Sequence, residues 1–146
     1  MGELLVAPDV VDLVCVWLRA ELPDVPNQVV VPVHRAIPSP RPVAFVTVRL
    51  LGGGGRDSVL PLDRVTVAVE AWAGNVAAAH DLAQNARAVV HAAQGVVHAG
   101  VQVYRVEEGG GPVELPDPLS NQSRVTFTVE LLVRIRRPDP EPEPEP

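Results

Sequence analysis

The chain has 146 residues, of which 47% are hydrophobic, with a formal net charge of −6. That is enough apolar matter for one globular core and too little length for a second, and it excludes a largely disordered chain. A single cysteine excludes an internal disulfide, and the apolar runs fall far short of the roughly 20 residues of a membrane-spanning helix.

The N-terminus, MGELLVAPDVVD, has no basic region and no small-residue cleavage site, so no secretory signal is expected. Asp9 is placed to cap a helix running to about Ala20, with Val10, Leu13, Val14, Trp17 and Leu18 recurring at helical spacing. Cys15 lies within that helix and reads as a buried, inert thiol. Leu22-Pro23-Asp24 stops the helix, and QVVVPV (28–33) reads as a short strand that Pro32 confines to an edge or a bulge. A loop with three prolines, 34–42, leads to a strand over Val43–Leu51. Gly52–Gly55 with Arg56-Asp57-Ser58 reads as a flexible loop.

RVTVAVEAWA (64–73) alternates as a strong strand. Asn75 then caps a second helix to about Ala93, whose stripe of Val76, Ala79, Ala83, Ala86 and Val90 is small enough to lie close on a sheet. Val101–Glu107 is the next strand, followed by a proline-stiffened acidic loop, GGGPVELPDP. Arg124–Arg136 is the last and longest strand. At about 3.3 Å per residue it spans roughly 43 Å, so part of it is expected to project as an arm or to bend near Leu131-Leu132. The tail PDPEPEPEP (138–146) carries four of the acidic charges and reads as an extended, solvated segment, leaving about −2 on the folded part, 1–137.

The expected architecture is a single α+β domain in the order α-β-β-β-α-β-β. It is a two-layer sandwich with two helices on one face of a mainly antiparallel sheet. Phe45, Trp72, Tyr104 and Leu132 fall at outward positions of that sheet, where an oligomer would cover them.

Chemistry-bearing motifs are scarce. The four histidines (His34, His80, His91, His98) form no ligand pair at metal spacing, and His80 and His91 stand three turns apart. No serine sits in a nucleophile motif, Gly52–Gly55 lacks the Lys-Ser/Thr of a phosphate loop, and glycines separate Glu107 and Glu108 from Glu114 and Asp117. No catalytic, metal-ligating or cofactor-binding residue is therefore expected. The cations are all arginine, whose planar fork suits pairing with carboxylates across an interface.

Three segments carry a resemblance: RVTVAVEAWA (64–73), AAAHDLAQNARAVV (77–90) and VYRVEEGGGPVELPDPLSNQSRVTFTVELLVR (103–134). With WLRAELPDV (17–25) and RPVAFVTVRLLGG (41–53) in the same order, nearly the whole chain resembles the tail terminator proteins of long-tailed bacteriophages, in the form common among phages of actinobacteria. Asn121 stands where that pattern has glycine, and asparagine can take the left-handed conformation a glycine would adopt.

The resemblance implies a virion protein at the head–tail junction, made in the host cytoplasm, and no enzyme. It implies a homo-oligomer, a six-fold ring on the last ring of the tail tube. There it stops polymerisation and presents a surface to the head connector, with DNA passing through and no sequence-specific reading of it. The chemistry of such a ring suggests that Arg49, Arg64, Arg105, Arg124 and Arg134 meet the acidic groups of the next subunit, Glu107, Glu108, Glu114 and Asp117. Pro116 and Pro118 would keep the acidic loop rigid. Two other readings stay open: a different neck or head-completion protein, and a small soluble enzyme or ligand-binding module.

Overall fold

The computed structural model describes residues 4–24 and 30–136. The acidic tail, 138–146, and residues 28–29 of the first expected strand lie outside the described residues. Two helices and six strands follow one another as α1 (Val10–Glu21), β1 (Val33–His34), β2 (Phe45–Arg56), β3 (Leu62–Ala73), α2 (Val76–Ala92), β4 (Val97–His98), β5 (Val101–Pro116) and β6 (Ser123–Arg134). The fold is α+β.

Both helices start where capping chemistry puts them. The Asp9 carboxylate accepts from the Asp12 N–H at 3.1 Å, and the Asn75 side-chain oxygen accepts from the Ala78 N–H at 2.8 Å. The apolar stripe of α1 is buried throughout. Ala79, Ala83 and Ala86 of α2 are buried too, and their small side chains let the helix lie against β3, β5 and β6. Val76, expected in that stripe, stands at the start of the helix and is exposed.

The strands form one sheet in the order β1-β2-β3-β6-β5-β4. It is mixed, a correction to the expected mainly antiparallel sheet and to the expected element order. β1 runs parallel to β2, and the two-residue β4, which sequence reading missed, pairs antiparallel with β5. The parallel contact follows from the proline-rich segment 35–44. It carries the chain from the end of β1 back to the start of β2, the crossover that parallel neighbours require. Arg19 of α1 holds β1 in place with two donors, Nε at 3.1 Å and Nη2 at 2.8 Å, to the Val33 carbonyl.

Three segments expected as loops or arms are strand. Gly52–Gly55 belongs to β2, paired with β3 through two register shifts, and Gly109–Pro116 belongs to β5, again with shifts. The last strand does not project. β6 pairs with β3 from Ser123 to Arg134 and with β5 on its other side, so it is the centre of the sheet. Asn121 does not use the left-handed region: Ala99, at φ 49°, is the non-glycine residue that does so among those described.

Alternation gives the sheet two unlike faces. Val46, Val48, Val67, Val69, Ala71, Val125, Phe127, Val129, Leu131 and Val133 join both helices in one core. Cys15 is fully buried there, and burial pushes its thiol above the ordinary value, as expected for an inert cysteine.

Phe127→Ala should cost about 3–5 kcal/mol of unfolding free energy, read from the urea midpoint. Gly53 has φ +135°, and an added Cβ would stand 2.9 Å from both the Arg64 carbonyl oxygen and the Thr66 nitrogen. Gly53→Ala should therefore cost about 1–3 kcal/mol. Gly74→Ala, where a Cβ meets nothing within 4 Å, should stay within about 1 kcal/mol. Equal midpoints for the two glycine variants would contradict the close approach of β2 to β3.

Candidate interaction surface

The sheet face turned away from the helices carries a half-buried polar cluster at one end. Phe45 of β2 and Trp72 of β3 are register partners and stack with centroids 5.4 Å apart. Both are buried within the chain, at 0% and 1% exposure, so no oligomer is needed to cover them. Tyr104, at 40%, is exposed. Arg41 and Arg124 lie over the indole, 5.4 and 5.1 Å from its centroid.

The Trp72 N–H donates to Thr47 Oγ1 at 3.0 Å, and that hydroxyl lies 3.5 Å from Glu70 Oε2. Arg49 reaches Glu70 Oε1 at 3.0 Å, and Arg124 stands 3.9 Å from Glu70 Oε2. Two arginines thus offset the cost of burying one carboxylate. Two buried atoms in or beside this cluster, Arg124 Nε and Thr126 Oγ1, have no hydrogen-bond partner among the described residues.

A loop clasp closes over the same end. Arg41 Nη1 donates to Asp117 Oδ2 at 2.7 Å and to Ser120 Oγ at 3.2 Å. The Ser120 hydroxyl donates to Asp117 at 2.5 Å, and the Leu119 N–H donates to the same carboxylate at 3.1 Å. Gln122 Nε2 donates to the carbonyls of Pro42 and Val43 at 2.8 and 3.2 Å. The 41–43 and 117–122 segments are therefore tied to each other through Arg41 and Gln122, both missed in sequence reading.

The remaining expected interface residues are dispersed. Glu108 is held by Arg87 at 2.6 Å and His91 at 2.7 Å, both on α2. Arg105 pairs with Glu107 along β5 at 2.5 Å, and Arg64 stands 4.0 Å from Asp57. Pro116 ends β5, and Pro118 and Arg134 are exposed. Glu114 is also exposed and has no ion pair among the described residues. Among the described residues no group of three His, Cys, Asp or Glu is arranged to hold a metal ion, and no helix is long and apolar enough to cross a membrane.

Sequence reading also missed the apolar side chains beside both long outer strands. Leu50 (57%) and Leu51 are exposed on β2, and Val113 (50%) and Leu115 on β5. Alternation places Leu50 on the same face as Val46 and Val48, which are buried, but Leu50 is exposed where the register shifts before Gly52.

The Ser120 hydroxyl, with the Leu119 N–H and Arg41, holds the Asp117 carboxyl below the ordinary carboxylate value. A lowered folded-state value contributes stability fully above the unfolded value of about 4, and that contribution is lost as pH falls through the folded value. Asp117→Asn should therefore lower stability at pH 7 and flatten its decline below about pH 4. Thermal melts across pH 2–7 would check this. A variant whose melting curve tracks the parent at every pH would remove the clasp as a stabilising element.

No family model matches the chain, and no curated protein matches it.

Proposed function

We propose that this protein is a tail terminator: a structural subunit that forms a closed, six-fold ring on the end of a phage tail tube. The ring ends tube polymerisation and offers the head connector its joining surface. It acts at the head–tail junction of the virion, its partners are further copies of itself, the tube protein and connector proteins, and DNA passes through its lumen. In this reading the helices and the sheet form two layers, supported by the single core that joins both helices to one sheet face.

The observation that carries the reading is the pair of incompletely covered outer strands. β1 covers β2 only at Val46 and Thr47, leaving Val48–Arg56 without a strand on that side among the described residues. On the far side of the sheet, β4 pairs with Val101 and Gln102 of β5. The segment before β4 bonds to Val103 and Val106, which leaves Glu107–Pro116 without a strand on that side among the described residues. A ring of like subunits needs two different surfaces per subunit, because a head-to-tail contact closes only through rotation. Two long, unlike edges on opposite sides of one sheet meet that requirement. The order of segments shared with tail terminators supports the same reading.

Disruption of the gene should give overlong, headless tails by electron microscopy. Tails of normal length beside unjoined heads would replace the length-stopping role with that of a neck protein, and normal infectious particles would end both. Joint replacement of Asp117 and Arg124 should impair ring formation or tail joining, since the clasp and the Trp72 cluster shape one end of the sheet. Unimpaired joining would take both residues out of the interface.

A further inference from the structure

We propose that the open edge of β2 seats against the open edge of β5 of a second copy, antiparallel, so that one sheet continues into the next. This assignment rests on the ring reading and names the contact that builds it. Along the sheet, β2, β3, β6 and β5 alternate in direction, so a neighbour's β2 placed beside β5 continues the alternation without reversing the subunit.

Charge selects this pairing over the other two. β2, FVTVRLLGGGGR, carries Arg49 and Arg56 and no acid, whereas β5, VQVYRVEEGGGPVELP, carries three glutamates against Arg105. Joining like edges would set arginine against arginine or glutamate against glutamate. Joining unlike edges sets opposite charges face to face. Leu50 and Leu51 on one edge and Val113 and Leu115 on the other add exposed apolar surface to both sides.

The spacing agrees as well. Arg49 and Arg56 pair with Ala68 and Asp63 of β3, and Glu107 and Glu114 pair with Glu130 and Val125 of β6. Each couple therefore spans the same length of partner strand once the bulges are allowed for. Arg49 is level with Ala68 and Thr128, about three residues from the level of Glu114, and Arg56 stands at the same offset from Glu107. A stagger of about four residues keeps matching faces together and sets Arg56 opposite Glu108, the two sharing the level of Val129 once the strands are shifted. The same stagger lays Val48–Arg56 along the open part of β5, clear of β1 and of the segment that covers Val103 and Val106. Closed strand assemblies carry such a stagger as a matter of course.

The test uses the full chain and two charge-reversed variants, with mass measured by sedimentation equilibrium. Leu50→Glu/Arg56→Glu turns the β2 edge acidic, and Glu107→Arg/Glu114→Arg turns the β5 edge basic. All four positions are exposed, and thermal melts verify folding. The parent chain should associate, and each variant alone should do so with a dissociation constant about tenfold or more higher. An equal mixture should regain association, because the acidic β2 edge of one variant then meets the basic β5 edge of the other, while the unaltered β2 and β5 edges meet as in the parent. Variants that associate like the parent, a mixture that stays apart, or a parent that remains monomeric would each overturn the assignment. Tail length after gene disruption is read separately. Overlong tails with no rescue in the mixture would keep the terminator reading and discard this contact, and rescue with normal tails would do the reverse.

Discussion

β6 is bonded on both sides along its length, to β3 from Ser123 to Arg134 and to β5 through a bulged ladder. Every other placement in the protein depends on that strand. Its alternation commits Val125, Phe127, Val129, Leu131 and Val133 to the helices and Arg124, Thr126, Thr128 and Glu130 to the opposite face. A slip of one residue would exchange the two sets and bury the charges against α2. The register is specified so strongly because one face is wholly apolar and the other is not.

The polar face is held by a different balance. Glu70 is buried beside Thr47 and answered by Arg49 and Arg124, while Trp72 is stacked on Phe45 and overlain by two guanidinium groups. Such groups add little to stability over an apolar substitute, but removal of one partner leaves a buried charge exposed to a low dielectric. Their effect is to favour one arrangement of the 41–43 and 117–122 segments, which meet through Arg41, Asp117 and Gln122. Rigid loops lose less entropy on docking, so in the proposed ring this end of the sheet would give up little conformational freedom at a contact.

At the outer strands the requirement is opposite. An open edge is a liability unless its pairing is restricted. Here the bulges at Gly52–Gly55 and Gly109–Val113 bend the ladders, and opposite charge on the two edges disfavours self-pairing of either one. The proposed ring and the proposed contact both draw on this single property, two edges of one sheet that differ in sign. Several of the acidic groups first assigned to that contact are engaged within the chain: Asp117 with Arg41, and Glu108 with Arg87 and His91. Glu114 keeps its charge free of any ion pair among the described residues, and Glu107 lends its own only to exposed Arg105.

Much of the α+β core was legible in the sequence, because local rules decided it. Asp9 and Asn75 cap the helices as their side-chain oxygens dictate, and the period-2 patterns of 64–73 and 124–134 name the buried face residue by residue. Glycines and prolines hid the rest. At 52–55 and 109–116 they carry a turn signal locally, yet both segments are strand because a long neighbour supplies the ladder that their own propensity does not. The parallel placement of β1, the cover over Phe45 and Trp72, and the clasp through Arg41 join residues some 13 to 80 positions apart. No local pattern encodes such partners. Only the tertiary structure decides which loops meet, because that depends on where the sheet brings its ends.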